Sequence, residues 1–283
     1  MTLRNALLAV HLGALLFGLS GIFGKLALSS PQIITAGRAM FAVVVLLLFT
    51  KLFSQAKLQR LNLRQTNLLI LSGVLLGCHW WMFFHSVQVS SVAIATLGFA
   101  SFPAFTVLLE GLLFRERTRP SEFAMVAVVC AGLVLVTPDF DLGSQATSGL
   151  LWAVGSGLLF ALLSLLNRFN TRSIEPVQSA LYQNLVVIVM FLPLAWSDLG
   201  SVRAIDWWWM AMLGLFCTGV AHTLFVASLK VLKARTTAVV FALEPIYGIA
   251  FAWLLFSEQP TLRMLLGGVL IIGAIVLSAR LAK

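Results

Sequence analysis

Charged residues are scarce in this sequence. Lys, Arg, Asp and Glu together make up 10% of its 283 residues, whereas hydrophobic residues make up 60%. Soluble globular domains usually carry about 25% charged residues. The composition therefore excludes a soluble protein and indicates an integral membrane protein.

Motifs of enzymes and metal sites are also missing. The sequence has no HExxH, no GxSxG, no Gly-rich phosphate loop and no loop long enough for a soluble catalytic domain. Its three cysteines, Cys78, Cys130 and Cys217, show no CxxC spacing, and His79 and His85 do not share a helix face. We therefore expect no metal, no cofactor, no disulfide framework and no ATP-driven activity, and a membrane-embedded enzyme or a scaffold is the less favoured class.

Ten apolar runs can be counted along the chain, each close to the ~20 residues that span about 30 Å of hydrocarbon as a helix. Their approximate limits are 6–28, 32–50, 67–86, 92–114, 122–138, 148–167, 177–196, 207–229, 236–256 and 262–281. Lipid admits only helices or closed barrels, and the runs lack the polar and apolar alternation of barrel strands. The sequence thus predicts an all-α integral membrane protein with ten transmembrane helices.

The positive charges lie mainly in alternate loops. With a cytoplasmic N-terminus, fifteen of the nineteen Lys and Arg residues fall on the inner side, and only Lys25, Arg203 and Arg263 fall on the outer side. This bias predicts that both termini are cytoplasmic, and it accounts for the net charge of +9 without nucleic acid. The first run resembles a signal peptide but continues to about Leu28, so we interpret it as an uncleaved helix.

Half the chain repeats the other half. The stretch FASFPAFTVLLEGLLFRE (99–116) aligns with FALEPIYGIAFAWLLFSE (241–258), which places Pro103 on Pro245 and Glu116 on Glu258. We infer two five-helix repeats, 1–140 and 146–283. Because five is odd, the second repeat enters the membrane in the opposite direction, as in many secondary transporters that work by alternating access. The paired glutamates are interpreted as an interhelical or gate contact.

The first and sixth helices align at a similar offset, which pairs Lys25 with Arg168 near the helix ends. Long basic side chains at helix ends snorkel to the membrane interface. We expect the two residues to form a symmetric pair at opposite faces of the membrane.

This pattern resembles the drug/metabolite transporter superfamily, and within it the EamA family of bacterial ten-helix exporters. The duplicated proline followed by LLFRE or LLFSE carries the resemblance, and Arg38 in the second helix fits it. The resemblance implies export of amino acids, related metabolites or drugs across the bacterial inner membrane. It also implies a central cavity lined mainly by helices 1, 3, 4, 6, 8 and 9.

The two repeats differ at the positions where an asymmetric substrate or a proton would be recognised. Glu244 aligns with Phe102, Tyr247 with Phe105, His222 with Trp80, and Arg38 roughly with Gln183. Residues that only hold the fold should recur in both repeats. The candidate site residues are therefore Glu244, Tyr247 and His222 in the second repeat. Arg38 and Trp80 are the candidates in the first repeat.

Glu244 is the strongest candidate. It lies about eight residues inside helix 9, or ~12 Å from the membrane edge, where a charged carboxylate costs at least ~2.5 kcal/mol. It should be neutral unless a cation or cavity water is nearby. The open interpretations are a proton carrier, a counter-charge for a substrate amine, or a protonated structural glutamate bonded to backbone that Pro245 leaves free. Tyr247 shares its helix face.

The run GCHWWMFFH (77–85) is the densest aromatic stretch of the chain. His79 and Trp80 are favoured as pocket residues for a planar or cationic ligand, and an interfacial aromatic belt is the alternative. His222 either forms a proton relay with Glu244 or satisfies a structural hydrogen bond between helices.

Arg38 lies about six residues inside helix 2 and needs a partner or a water-filled vestibule. In one interpretation Arg38 binds the carboxylate of a substrate whose amine is bound by Glu244. In the other, Arg38 has a structural or gating role. Tyr182, Gln183 and Asn184 form a polar turn of helix 7 that lines the cavity or joins helices. Pro103 and Pro245 are expected to let helices 4 and 9 flex.

The function predicted from the sequence is a secondary transporter that exports small amphiphilic metabolites, amino acids or drugs from a bacterium. The alternative is a multidrug/proton antiporter for cationic aromatic compounds. The expected partners are a small-molecule substrate, protons as the candidate coupling ion, and the lipid bilayer. No nucleic acid and no obligatory protein partner are expected.

Overall fold

The computed structural model describes residues 1–53, 58–114, 120–136, 141, 143–170, 173–241 and 243–281. All regular secondary structure in these ranges is helical. The α-helices, in chain order, are α1 (Leu3–Leu26), α2 (Pro31–Phe53), α3 (Leu63–Val89), α4 (Val92–Phe99), α5 (Phe102–Phe114), α6 (Pro120–Val136), α7 (Gln145–Asn170), α8 (Pro176–Ala195), α9 (Ala204–Met212), α10 (Ala221–Ser228), α11 (Ala234–Phe241), α12 (Glu244–Phe256) and α13 (Leu262–Leu281). A 3₁₀ turn (Trp196–Ser201) follows α8, and a π-helical segment (Leu213–Val220) joins α9 to α10.

The described part of the chain contains eight helical stretches that are long and apolar enough to cross a membrane. Two further apolar helices, Pro120–Val136 and Leu262–Leu277, are shorter. Many large apolar side chains point away from the protein, and Val189, Leu112 and Leu254 are 75%, 76% and 78% exposed. So much exposed apolar surface suits contact with lipid, and the protein is a multi-pass membrane protein.

Two of the spans are broken near their middle. Helix α4 ends at Phe99 and α5 begins at Phe102, while α11 ends at Phe241 and α12 begins at Glu244. Pro103 and Pro245 each occupy the second position of the new helix. A proline fits there because its missing N–H has no intrahelical acceptor in the first turn.

The sequence predicts each of these spans as one continuous helix with a proline in its interior. The structure corrects this prediction: both prolines start a new helix after the break. As a result, α12 places its N-terminus and Glu244 inside the span. Glu116, the repeat partner of Glu258, lies outside the described residues.

The span Ala204–Ser228 also departs from a continuous α-helix. Its central eight residues form the π-helical segment, whereas the aligned stretch of α3 is α-helical throughout. π-helical turns are rare and occur frequently at functional sites. No sequence pattern marks residues 213–220 as π-helical.

Each helix contact described below in one half of the chain has a counterpart in the other half. Helix α3 packs on α7, and α1 correspondingly packs on α10 and the π segment. Helix α7 contacts α4 and α5, and α1 contacts α11 and α12. The pairs α2 with α8 and α6 with α13 join equivalent helices of the two halves.

Small residues allow the closest of these contacts. A Cβ atom built at Gly267 in α13 would lie 2.7 Å from the carbonyl oxygen of Gly132 in α6, and one at Gly132 would lie 2.9 Å from that of Gly267. Each glycine thus lets the opposite backbone approach, as small residues do in membrane helix pairs. Gly273 in the same helix has no atom within 4 Å of such a Cβ.

We predict that Gly267→Ala destabilises the protein because the new methyl group forces α13 away from α6. Overpacking of this kind costs about 1–3 kcal/mol. Thermal unfolding in detergent should show a lower Tm for Gly267→Ala, while the control Gly273→Ala keeps or raises it, since alanine favours the helix. Equal effects of both substitutions would contradict the close contact.

Candidate functional site

A small cavity lies between the helices. Its walls come from α1, α2, α3, α4, α7 and α12, and its lining residues are Phe17, Ser20, Arg38, His79, Trp80, Phe83, Phe99, Phe160 and Glu244. The cavity volume is about 20 Å³. That is enough for a water molecule, so a larger ligand requires the helices to move apart.

A second, larger space is a groove of about 680 Å³ formed mainly by α12 and α13. Its lining contains no charged side chain, and Trp253 and Val269 at its edge are strongly exposed. Such a groove in the hydrocarbon region suits lipid tails. The small central cavity, with its three ionisable side chains, is the better candidate for recognition.

Arg38 is only 1% exposed and is fixed by three groups. Its Nε and Nη2 donate to Thr218 Oγ1 at 3.0 and 2.8 Å, and Nη2 also donates to the carbonyl oxygen of Cys217 at 3.3 Å. The guanidinium lies over the Trp80 ring, 3.8 Å from its centroid. A buried cation needs such neighbours, because the membrane interior offers no bulk water.

Glu244 is 4% exposed and is the first residue of α12. The N-terminus of a helix carries unpaired N–H groups and partial positive charge, which stabilise a nearby carboxylate. Among the described residues, its carboxylate forms no hydrogen bond, and no nitrogen of Arg38 approaches it within the 4.0 Å of an ion pair. The guanidinium and the carboxyl group therefore line one cavity without pairing.

His79 is held at the cavity wall by Ser156 of α7. Its Nδ1 lies 2.7 Å from Ser156 Oγ and 3.2 Å from the carbonyl oxygen of the same residue. The serine hydroxyl itself donates to the carbonyl oxygen of His79 at 3.0 Å, so Nδ1 must supply the hydrogen of its own bond. This assignment leaves Nε2 as an acceptor in the neutral ring, which packs between Phe99 and Phe160.

His222 does not form the relay with Glu244 that the sequence suggested. Its Nε2 lies 3.0 Å from Gln183 Oε1, and the Gln183 amide donates to Asn167 Oδ1 at 2.6 Å and to Ser179 Oγ at 2.9 Å. With its amide hydrogens used in this way, Gln183 presents its oxygen to His222, which supplies the proton. The polar turn of α8 thus joins α7, α8 and α10, and His222 reaches the cavity only through the edge of the Trp80 ring.

Tyr247 is half-buried and is not among the cavity-lining residues. Its Cβ faces Gly18, where α1 and α12 approach closely. Pro103 and Pro245 stand at the two helix breaks. The structure therefore brings Glu244, Arg38, His79 and Trp80 together, and it places His222 behind Trp80 and Tyr247 at a helix contact.

Two ion pairs lie at opposite ends of the helix bundle. Lys25 of α1 pairs with Glu258, which follows α12, and Arg168 Nη1 of α7 lies 2.8 Å from Glu110 Oε1 of α5. Helix α3 fixes their relative positions, because its residues Phe84 and Gln88 contact the end of α1 whereas Ser72 bonds to Asn170 at the end of α7. Ser72 and Gln88 are about 24 Å apart along the helix.

The comparisons with known proteins agree with this architecture. The model of the EamA-like transporter family matches residues 4–137 and again residues 147–280. The chain belongs to the EamA-like transporter family. It is accordingly a transporter and not an enzyme.

Two relatives of this EamA-like transporter have functional names. The pseudopaline exporter CntI of Pseudomonas aeruginosa (strain UCBPP-PA14) is 27% identical over 76% of this chain and 76% of its own length. The S-adenosylmethionine uptake transporter of Rickettsia felis is 26% identical over 84% of this chain and 79% of its own length. A solved crystal structure shares the fold with a TM-score of 0.75 at 19% identity, over 99% of both chains.

The sequence did not reveal several members of the site of this EamA-like transporter. Phe17, Ser20 and Phe160 line the cavity, and Thr218 holds Arg38, yet each occurs in a run that looks like ordinary membrane helix. The only signal for Phe99 was its repetition as Phe241. Apolar and hydroxyl residues carry little positional information within a uniformly apolar span.

We predict that Gln183→Leu acts on stability, because it leaves the buried Nε2–H of His222 and the Asn167 side chain without a partner. An unsatisfied buried polar group costs about 1–3 kcal/mol. Detergent unfolding should show a lower Tm than for the control Gln145→Leu, whose side chain is exposed. An unchanged Tm would contradict the structural role of the Gln183 network.

Proposed function

We propose that this EamA-like transporter exports small zwitterionic amphiphiles of the amino-acid type by alternating access, in exchange for protons. The observation that carries the proposal is the unpaired guanidinium and carboxylate within one cavity. Arg38 would bind the substrate carboxylate and Glu244 its ammonium group. Phe17, Phe99 and Phe160 would surround its apolar part.

The proton and the substrate ammonium group would compete for Glu244. A buried carboxyl group in an apolar span is neutral when no cation pairs with it, and it releases its proton when an ammonium group binds to it. Substrate and proton would therefore occupy the site in turn, which is the logic of an antiporter. The other titratable groups around Glu244 are Arg38, the Cys217 thiol and His79, with His222 behind Trp80.

A multidrug/proton antiporter for cationic aromatic compounds is the second candidate. The aromatic walls favour it, since ring faces attract organic cations. Arg38 opposes it, because a buried guanidinium in the cavity repels a cation that has no carboxylate. The two functions therefore differ in the effect of removing Arg38.

Alternating access is supported by the internal symmetry. The family model matches the chain twice, and helix contacts made in one half of the chain have counterparts in the other half. An inverted repeat of 1–140 and 146–283, with ten spans and both termini in the cytoplasm, is consistent with these observations and with the positive-inside bias. The Lys25 and Arg168 ion pairs would then close the outer and the inner end of the cavity.

Export across a bacterial inner membrane is the direction we propose. The relative CntI is named an exporter, and pseudopaline is its named cargo. The relative from Rickettsia felis is named for uptake, so the direction depends on the gradients that drive each protein. An inward proton gradient would drive export through Glu244.

Transport in proteoliposomes tests the proposal. Vesicles containing only this protein should accumulate labelled amino acids from outside when their lumen is acidic, because outward proton movement drives inward substrate movement. Glu244→Gln should abolish the response to the pH gradient. Arg38→Gln should reduce zwitterion flux at least ~10-fold, the loss expected for one charge-assisted bond.

A matched control is Glu175→Gln, since Glu175 is an exposed carboxylate paired with Lys230 outside the cavity. Flux through the control should equal that of the wild type. If Arg38→Gln instead increases the flux of a cationic aromatic dye and leaves amino acids untransported, the second candidate is correct. Absence of flux for both the amino acids and the dye would contradict both candidate functions.

The two ion pairs yield a separate prediction about access. In a variant without native cysteines, Ser20→Cys reports entry to the cavity by reaction with a membrane-impermeant maleimide. Lys25→Met should increase labelling from the outer side only, and Arg168→Met should increase it from the inner side only. Each change should be about fivefold, the population shift that follows the loss of ~1 kcal/mol from a partly exposed ion pair.

The control for access is Lys230→Met, which removes an ion pair remote from the cavity and should change neither labelling rate. Equal increases from both sides after either cavity-side substitution would contradict a two-ended closure. No substrate needs to be known for this measurement.

A further inference from the structure

A guanidinium that pairs with a carboxyl group favours the ionised form of that group, and the attraction is strong in a membrane interior because the surrounding dielectric constant is low. Arg38 and Glu244 line the same small cavity. They nevertheless remain apart, and the Glu244 carboxylate has no bonded partner among the described residues. Something must hold the guanidinium away from the carboxylate.

The hydroxyl of Thr218 provides most of that restraint. It accepts from two nitrogens of Arg38 and donates to the carbonyl oxygen of Leu213 at 3.0 Å, five residues earlier in the chain. The hydroxyl is therefore fixed on both sides. Nη1 of Arg38 makes no hydrogen bond to the described residues, so this nitrogen stays open to a ligand.

Both groups that accept hydrogen bonds from Arg38 belong to the π-helical segment. A π turn shifts the hydrogen-bond register of the backbone and so leaves a carbonyl group free for another partner. The carbonyl of Cys217 accepts from Arg38, inside this segment. The segment also approaches α2 very closely, since a Cβ atom built at Gly214 would lie 2.7 Å from the carbonyl oxygen of Arg38.

The first half of the chain has no such device at the equivalent place. The aligned part of α3 is a regular α-helix. The residue aligned roughly with Arg38 is Gln183, which bonds directly to the equivalent of Trp80, His222. The π segment and the arginine it holds thus belong to the asymmetric part of the molecule.

We propose that Thr218, presented by the π segment 213–220, is a positioning residue that holds Arg38 away from Glu244 and keeps both charges available to a zwitterionic ligand. This inference rests on the proposed function. Without the Thr218 acceptor, Arg38 swings onto Glu244, the carboxyl group releases its proton, and the two resulting charges neutralise each other. The site then loses its affinity for zwitterions without losing either charged residue.

Reaction of Glu244 with dicyclohexylcarbodiimide tests the inference without any substrate. This apolar reagent attacks a protonated buried carboxyl and adds its own mass to it, whereas a carboxylate paired with a guanidinium stays ionised and does not react. Peptide mass spectrometry of purified protein at one fixed pH gives the extent of labelling at Glu244. Glu244→Gln defines the background.

Thr218→Val should lower the labelling rate at Glu244 about tenfold, because pairing with Arg38 favours the ionised carboxylate. Thr218→Ser, which keeps the hydroxyl, should retain the rate of the wild type. In an Arg38→Gln background, Thr218→Val should cause no further decrease, since the effect acts through the guanidinium. A decrease of the same size in that background would overturn the proposal.

Misfolding is checked independently. If Thr218→Val does not give a folded protein in detergent, Thr218→Ala replaces it, with the same reagent and the same Arg38→Gln background. Labelling of Glu244 at the wild-type rate in Thr218→Ala would also overturn the proposal. Transport provides the second measurement: Thr218→Val should raise the KM for a zwitterion about tenfold while Thr218→Ser restores it. The labelling results stand even if amino acids prove not to be substrates.

Discussion

The structure depends on the cost of placing a guanidinium and a carboxylate inside a membrane. Arg38 and Glu244 are both nearly inaccessible, and direct pairing would be the simplest way to stabilise them. Each instead receives separate support: Arg38 from Thr218, the Cys217 carbonyl and Trp80, and Glu244 from the N-terminus of α12. A cavity with two separately stabilised charges suits a ligand that carries both charges itself.

The irregular backbone of the fold serves this arrangement. The break before Pro245 brings a helix N-terminus to mid-span, and the π segment turns a hydroxyl and a carbonyl toward α2. Backbone polar groups left unpaired in a membrane are tolerated only where protein or a cavity satisfies them. The regular helices around the cavity, such as α3 and α7, hold the aromatic walls in place.

The apolar membrane-spanning helices and the buried Glu244 could be predicted because they follow from hydropathy and from the cost of burying charge. Arg38, His79 and Trp80 were each predicted as site residues, but no sequence pattern predicted that the Arg38 guanidinium lies over the Trp80 ring. The Gln183 partner of His222 and the Thr218 partner of Arg38 were not predicted, since both depend on how helices from different halves rotate against each other. The helix breaks lay two or three residues from the position that the prolines suggested, because a proline starts a helix more readily than it bends one.

The charge pattern of the transported molecule is the central claim, and a series of ligands tests it most directly. Proteoliposomes would be loaded with one labelled amino acid and exposed in turn to four external ligands. The unlabelled amino acid carries both charges and its methyl ester carries only the positive charge. Its N-acetyl derivative carries only the negative charge, and its N-acetyl amide carries neither. The account predicts that only the zwitterion drives rapid exchange. Equal exchange by the methyl ester would contradict it, because that ligand has no carboxylate for Arg38.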